Sequence, residues 1–428
     1  MFESLHETKV PCSLMKVLIL GAGVIGVTTA YELVNEGYQV TVIDRQSKPA
    51  METSFGNAGL ISPGHSFAWT TPKLPGNLMK SLFQKQRVFR FKLHWCPGLI
   101  RWGFNFIRHC TSENMRINTA RKLRLCSFSQ EKLHELIQET RLEYDQNKKG
   151  LIYIYRSDEA LNEGIKKLKL LQPIMDKLDL LNTDELIKIE PALDHLKSQI
   201  SGGIYCNTDE SGNCHKFTQK LAKLCLEKGV KFQFDETITR LETKRGKVQK
   251  VITNKNEYTA DVYVLALASH STFFARKLGD YLPVYPVKGY SITLPIVDFS
   301  KAPVHGGIDE DNLLAFSLMA NSIRFTSVAE IAGYDTSHKP SDFSYMVDLA
   351  DSLFPDALDF TNIKYWAGLR PMTPNGSPIF GNGKMKNLFY NTGHGHLGWT
   401  MACGSAKITA DLITGRKPNI DLEGMLLN

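Results

Sequence analysis

Between Glu52 and Glu113 the chain has no acidic residue, although the protein as a whole carries a net charge of only +7. That interval holds Lys73, Lys80, Lys85, Arg87, Arg90, Lys92, Arg101 and Arg108, interleaved with Phe83, Phe89, Phe91, Trp95, Trp102, Phe104 and Phe106. Two readings fit such a segment. It can lie on an anionic membrane surface, or it can form domain-packing helices whose basic face is simply solvated. No nucleic-acid fold pattern accompanies the charge, so nucleic acid is not expected as a partner.

Other absences narrow the class. Eight cysteines (Cys12, Cys96, Cys110, Cys126, Cys206, Cys214, Cys225, Cys403) are scattered with no C-x-x-C and no zinc spacing. They read as reduced thiols of a cytoplasmic protein. Met1 to Leu14 carries Glu3 and Glu7 and lacks the apolar stretch of a secretory leader, so residues 1–14 read as a tail, with Met15 an alternative start. No apolar run is long enough to cross a bilayer. There is no G-x-S-x-G, no assignable pair of carboxylates and no internal repeat. Chemistry is therefore expected from a cofactor, oriented by the protein.

What is present begins at Lys16. An apolar strand, Lys16–Leu20, runs into Gly21-Ala22-Gly23-Val24-Ile25-Gly26, a helical segment to Asn35, and a second strand, Gln39–Ile43, ending in Asp44. This is the order of a dinucleotide-binding βαβ unit. Gly21 permits the tight turn, Gly23 lets the backbone approach a pyrophosphate, and Gly26 lets helix and strand pack closely. The helix N-terminus offers free N–H groups to phosphate, and Asp44 can accept from ribose hydroxyls.

Further along, Thr53–Gly64 reads as a small-residue loop able to approach a ligand or to lie at the surface. Helices are expected at 119–147, at 157–178, as a short piece capped by Thr183, and at 215–228; strands at 151–155, from 202, at 230–234, 248–253, 257–259 and 261–269; and a turn at 209–213. Residues 283–335 look β-rich, and the alternation in Tyr290–Leu294 and Ser322–Val328 fits a half-buried sheet. Arg370 sits alone among small and apolar residues in Trp366–Pro374. It can grip a carboxylate through two parallel hydrogen bonds, or be satisfied by backbone carbonyls. His394 and His396 are spaced for a metal, but no carboxylate or cysteine nearby completes a set, so no metal is expected.

Several of these segments together are more specific than the glycine fingerprint: Val17–Tyr31, Glu52–Gly64, Asp209–Asn213, Tyr285–Ser291, Trp366–Pro374 and Asn391–Gly404. From about Met15 to the C-terminus the chain resembles the bacterial D-amino acid dehydrogenases, within the FAD-dependent group that includes D-amino acid oxidase, glycine oxidase and sarcosine oxidase. The resemblance implies FAD as cofactor. Gly21, Gly23, Gly26 and Asp44 would hold its ADP half, and Val17, Leu18, Ile19, Leu20, Ala22, Val24, Ile25 and Arg45 would also take part in cofactor binding. Ser54, Asn57, Ala58 and Gly59 would border the flavin, with Gly395, His396, Leu397 and Gly398 near its ring. Arg370 would bind the substrate carboxylate, and Tyr290 would line the pocket. The chain departs from the dehydrogenase pattern at Thr326-Ser327, where two glycines are usual, and at His396, where threonine is usual.

The implied fold is α/β: a Rossmann-type FAD-binding domain (15–95, 195–275 and 365–428) with an inserted substrate domain of mixed β-sheet and helices (96–194 and 276–364). The implied reaction is oxidative deamination of a D-amino acid to a 2-oxo acid and ammonia. Electrons would pass to a membrane quinone or another acceptor, with the enzyme peripheral on the cytoplasmic face of the inner membrane. Two alternatives stay open: a glycine- or sarcosine-type amine oxidase using oxygen, and a flavin-binding sensor without turnover. Handedness does not follow from the residues.

Overall fold

The computed structural model describes residues 15–76, 88–92 and 97–427. Residues 1–14, with Cys12, and the basic and aromatic positions Lys80, Phe83, Lys85, Arg87, Trp95 and Cys96 lie outside the described residues.

The first strand, Lys16–Leu20, occupies the middle of a six-stranded sheet because all but its first residue are buried apolar positions. It pairs in parallel with Gln39–Ile43 on one side and Val262–Leu265 on the other. Lys231–Gln233 and Leu388–Thr392 extend the sheet in parallel, and Ile379–Asn382 closes one edge antiparallel. The helices Val24–Asn35 and Cys214–Glu227 contribute to one core with this sheet, and Trp399, Ala402, Cys403 and Ala410 join it from the last helix, Gly398–Thr414. Parallel strands buried on both faces read as unbroken apolar runs, as Val17–Leu20 and Val262–Leu265 at the centre of this sheet do.

A nine-stranded mixed sheet stands beside it, in the order Lys364–Met372, Tyr285–Pro295, Ser322–Ile331, Leu314–Met319, Gly306–Asp309, Leu151–Tyr155, Gly202–Cys206 and Leu178–Leu181, with Phe89–Phe91 paired to Ser322–Ile331. Phe89–Phe91, Gly202–Cys206 and nearly all of Lys364–Met372 fall in the ranges expected for the FAD domain, yet they pair in this sheet. The helix expected at 119–147 runs instead from Ser112 to Thr140. Thr111 caps it by accepting from Asn114 N at 3.2 Å, and Arg141 ends it in the left-handed region. It packs on the last helix, where Gly404 N donates to Ser129 Oγ at 3.0 Å, so it belongs to the cofactor side of the molecule.

Smaller differences have local causes. The helix expected at 157–178 is α-helical only over Asp158–Leu168 and tightens to a 3₁₀ run that contains Pro173. Asn182, not Thr183, caps the next helix, in a reciprocal box with Glu185. The turn at 209–213 contains a two-residue strand, Glu210–Ser211, paired with Leu60–Ile61. Tyr285–Pro295 and Ser322–Ile331 are buried on both faces rather than half-buried.

Candidate active site

The glycine turn is shaped by contacts that exclude side chains. Gly21 has φ +110°, donates to Ile43 O at 2.8 Å, and a Cβ there would stand 2.6 Å from Ala266 O. A Cβ on Gly26 would collide with the Gly21 carbonyl. Gly23 starts the helix with no side chain of its own to cap it, and Val24 N donates to Ser54 Oγ at 3.0 Å. The Asp44 carboxylate accepts from Ala22 N (2.6 Å) and Gln46 N (2.8 Å), one bond to each oxygen. Each oxygen keeps acceptor capacity for a ribose hydroxyl. Burial raises the Asp44 pKa despite these hydrogen bonds. Arg45 is engaged by Glu52 through two bonds of 2.5 and 2.9 Å.

A cavity of about 370 Å³ follows from this turn. Asp44, Arg45 and Glu236–Thr239 wall one end, Gly21, Gly23, Val24, Ile25, Ser54 and Asn57 the middle, and Pro371, Asn391–Thr392, Gly395 and Gly398 the other. Two helix N-termini whose N-cap residues supply no capping side chain border it, at Val24 and Gly398, and such ends favour anionic groups. An elongated dinucleotide with two phosphates fits these donors.

Not every expected cofactor residue reaches the wall. Val17, Leu18, Ile19 and Leu20 form the buried strand behind it, and Ala22 and Gly26 support the turn. Ala58 and Gly59 face the nine-stranded sheet, where Ala58 O accepts from Ser317 Oγ at 2.6 Å. Leu397 is buried beneath the last helix with Leu125, Phe380 and Met401. Ala266, Leu267 and Ala268, at the end of the strand Val262–Leu265, line the cavity. Nothing in the sequence marked Glu236–Thr239, His270 or Phe273, which line it too.

The nine-stranded sheet turns one face toward the loop Thr53–Gly59. Trp366, Gly368 and Arg370 share that face with Gly289, Ser291, Thr293 and Arg324, as the register requires. A Cβ on Gly289 would strike the Arg370 guanidinium, and one on Gly56 or Gly368 would strike the Trp366 indole. Arg324 Nη1 donates to Phe55 O (2.8 Å) and Asn57 O (3.2 Å), and its Nε to Thr293 Oγ1 (3.0 Å), fastening the loop to the sheet.

Arg370 donates to Val328 O (2.7 Å) and Ser327 O (3.3 Å), and no acidic side chain among the described residues pairs with it. Those carbonyls turn toward it beside a register shift between the paired strands, with Val328 at φ +61°, a conformation costly for a β-branched residue. Burial pulls the Arg370 pKa down to about 10, so it stays a cation at neutral pH. Two carbonyls cannot satisfy five N–H donors or balance the charge.

Tyr290 is not brought to this place. Tyr290 lies on the opposite face with Ile292 and Leu294, edge-on to Phe343 at 5.1 Å, and its hydroxyl donates to Glu330. The two histidines also diverge. His394 contacts Ser405 Oγ at 3.0 Å, and burial lowers its pKa to about 3. His396 leaves the cavity wall and stacks on Trp69 at 4.7 Å. Burial, then the charges of Lys122, Arg370 and His65, hold it neutral. Among the described residues no cluster of three His, Cys, Asp or Glu side chains could hold a metal ion.

Comparisons with known proteins agree with this geometry. The family model described as FAD dependent oxidoreductase matches residues 16–412. A "D-amino acid dehydrogenase 2" of Mesorhizobium japonicum is 42% identical over 413 residues, covering 96% of this chain and 99% of that protein. A D-amino acid dehydrogenase of Rhizorhabdus wittichii is 42% identical over 407 residues, covering 95% and 98%. Among solved structures, glycine oxidase from Geobacillus kaustophilus superposes with a TM-score of 0.74 at 18% identity, covering 97% of this chain and 99% of that one. L-proline dehydrogenase from P. horikoshii gives 0.73 at 16% identity, covering 96% of each.

Proposed function

This chain belongs to the FAD-dependent oxidoreductase family, and on that premise we propose that it oxidises D-amino acids at Cα to 2-oxo acids and ammonia. The observation that carries the reading is Arg370, a guanidinium with no acidic partner on the loop-facing side of the substrate sheet. A substrate α-carboxylate supplies the missing charge and takes the remaining donors as a fork. Anchored there, the amino acid is held with little freedom beside the cofactor cavity, which converts binding energy into orientation.

FAD held along Gly21, Gly23, Val24 and Asp44 would supply the hydride acceptor for the hydrogen that leaves Cα. The amine enters neutral, its lone pair forms the C=N bond as the C–H bond breaks, and water later displaces ammonia from the imine. The loop Thr53–Gly59, clamped by Arg324 and by Thr53 Oγ1 on Leu369 O (2.9 Å), screens the site from solvent. Handedness rests on the names of the relatives. Anaerobic reduction of the bound flavin by D-alanine, L-alanine, glycine and sarcosine in parallel tests the reading. Reduction by D-alanine alone supports it, and reduction by glycine or sarcosine instead moves the protein to the oxidase branch. No reduction by any amino acid would leave a flavin-binding protein without this turnover.

The same proposal extends to the acceptor. The helix Pro97–Arg108 buries Trp102 and Phe106 against Tyr285, Val287 and Met372, and Trp102 Nε1 donates to Met372 O at 2.9 Å. Its other side exposes Ile100 (62%), Phe104 (64%) and Ile107 (58%), flanked by Arg101 and Arg108. An apolar stripe edged by cations suits an anionic bilayer. No helix among the described residues is long and apolar enough to cross a membrane. Docking by this stripe on the cytoplasmic face of the inner membrane would bring the enzyme to a lipid-soluble quinone. Co-sedimentation with anionic and neutral vesicles at low salt tests it, and equal, negligible binding to both removes it.

A further inference from the structure

Lys122 is a second buried cation without an acid. It lies within the helix Ser112–Thr140 and is 1% exposed. Its ammonium donates to Phe67 O at 2.5 Å, and no acidic side chain among the described residues pairs with it. Three donors on one carbonyl leave the group under-satisfied, and a buried unpaired ammonium is strongly disfavoured. Burial pulls its pKa down to about 8, so it remains largely charged at neutral pH. Cys126, one turn further on, cannot serve as counter-ion, because burial pushes its thiol up to about 12.

The acids beside His65 are already engaged. Glu310 contacts His65 Nε2 at 2.6 Å. Asp209 accepts from Tyr153 OH (2.5 Å) and Gly64 N (2.9 Å). Phe67, whose carbonyl accepts from Lys122, packs edge-on to His65 at 5.5 Å, and two residues later Trp69 stacks on His396. The antiparallel bridge between Met372 and His394 brings His396 to the strand that carries Arg370, and the charges of Lys122 and Arg370 both bear on its ring. Two cations lacking acids thus act on one neutral ring.

Resting on the D-amino acid reading above, we propose that the substrate carries a second anionic group, with Arg370 taking the α-carboxylate and Lys122 a side-chain carboxylate. The substrate class is the acidic D-amino acids, D-aspartate and D-glutamate. Uncharged D-amino acids leave Lys122 unpaired and bind less well.

The test measures kcat/KM with an artificial electron acceptor for D-glutamate, D-aspartate, D-alanine and D-norvaline in the holoenzyme and in Lys122→Met. At least one diacid is expected to exceed D-norvaline by about tenfold or more. Lys122→Met is expected to lower that ratio by about 30-fold or more, and Lys122→Arg to restore part of it. A holoenzyme that prefers D-norvaline, or a variant that lowers all substrates alike, overturns the proposal. Should the variant fail to fold, competitive inhibition of the wild-type enzyme decides. Glutarate or succinate should bind at least tenfold tighter than butyrate, and parity overturns the inference. Turnover of D-alanine without the diacids refutes this proposal alone, whereas no turnover of any D-amino acid refutes the function it rests on.

Discussion

The cofactor cradle and the substrate face adjoin along the loop Thr53–Gly59 but are made of different material. The cradle is mostly backbone: glycines at a tight turn and two helix ends without N-cap side chains, beside an Arg45 already matched by Glu52. The substrate face is side chain, and its charges are unbalanced. Arg324 uses carbonyls and a hydroxyl, and Arg370 two carbonyls; on the proposal above Lys122, with one carbonyl, joins them from the long helix. A cradle of backbone is complete before its ligand arrives. A face of unpaired cations is complete only with an anion on it, so it selects ligands by charge while the cradle selects by shape.

The sharpest way to break this comparison is to add atoms to the cradle. In Gly26→Val the new side chain meets the Gly21 carbonyl, and the turn that approaches the pyrophosphate must open. We expect a loss of FAD affinity of more than about 100-fold, or roughly 3 kcal/mol, read as flavin absorbance per protein after purification. Near-stoichiometric flavin in the variant would show that the shape of this turn is not what holds the cofactor. Arg370→Met should act on the other region alone. It should lower kcat/KM by about 100- to 1000-fold (about 3–4 kcal/mol) while flavin content stays within about twofold. Arg370→Lys should recover little, because a point charge cannot replace the fork.

The contrast also explains what could be read from the sequence. The cradle is local: Gly21, Gly23, Gly26 and Asp44 fall within one βαβ unit, where spacing alone encodes geometry. The substrate face is not local. Arg370, Lys122, His396 and Trp69 come from segments far apart in the chain and meet only through sheet register and the packing of the long helix. Alternation grouped Tyr290 with Ile292 and Leu294, but only the pairing of Val287 with Arg370 shows that this group points away from the arginine. Periodicity placed the long helix late because its first turns are polar, although Thr111 was available as a cap. The strand Ile238–Lys244 escaped notice because it is mostly charged and polar with little burial.

A smaller effect sharpens the comparison from outside both regions. If the exposed stripe on Pro97–Arg108 serves only to dock the enzyme, Phe104→Ser should leave flavin content and amino-acid turnover in solution unchanged. Its partition onto anionic vesicles should fall about 10- to 150-fold, since burying a phenyl ring contributes about 1.5–3 kcal/mol. A change in solution turnover would instead tie the helix to the substrate face through Trp102 and Met372.

The smallest effect concerns the price of keeping ionisable groups next to the substrate face. Burial raises the Asp209 carboxyl from 3.8 to about 6, against hydrogen bonds from Tyr153 and Gly64 and the nearby His65. Between those two values the folded protein holds a proton that the unfolded chain has released. The stability linked to this group is therefore fully present below about pH 4 and is lost as pH rises through about 6. Asn keeps an acceptor for Gly64 N and cannot ionise. Asp209→Asn should accordingly raise the melting temperature of the holoenzyme at pH 8, by the equivalent of about 1–3 kcal/mol, and change it little at pH 4. An equal shift at both values would mean that Asp209 acts by packing rather than by charge. The loop from Gly64 to Trp69 would then owe its position to shape, as the cradle does.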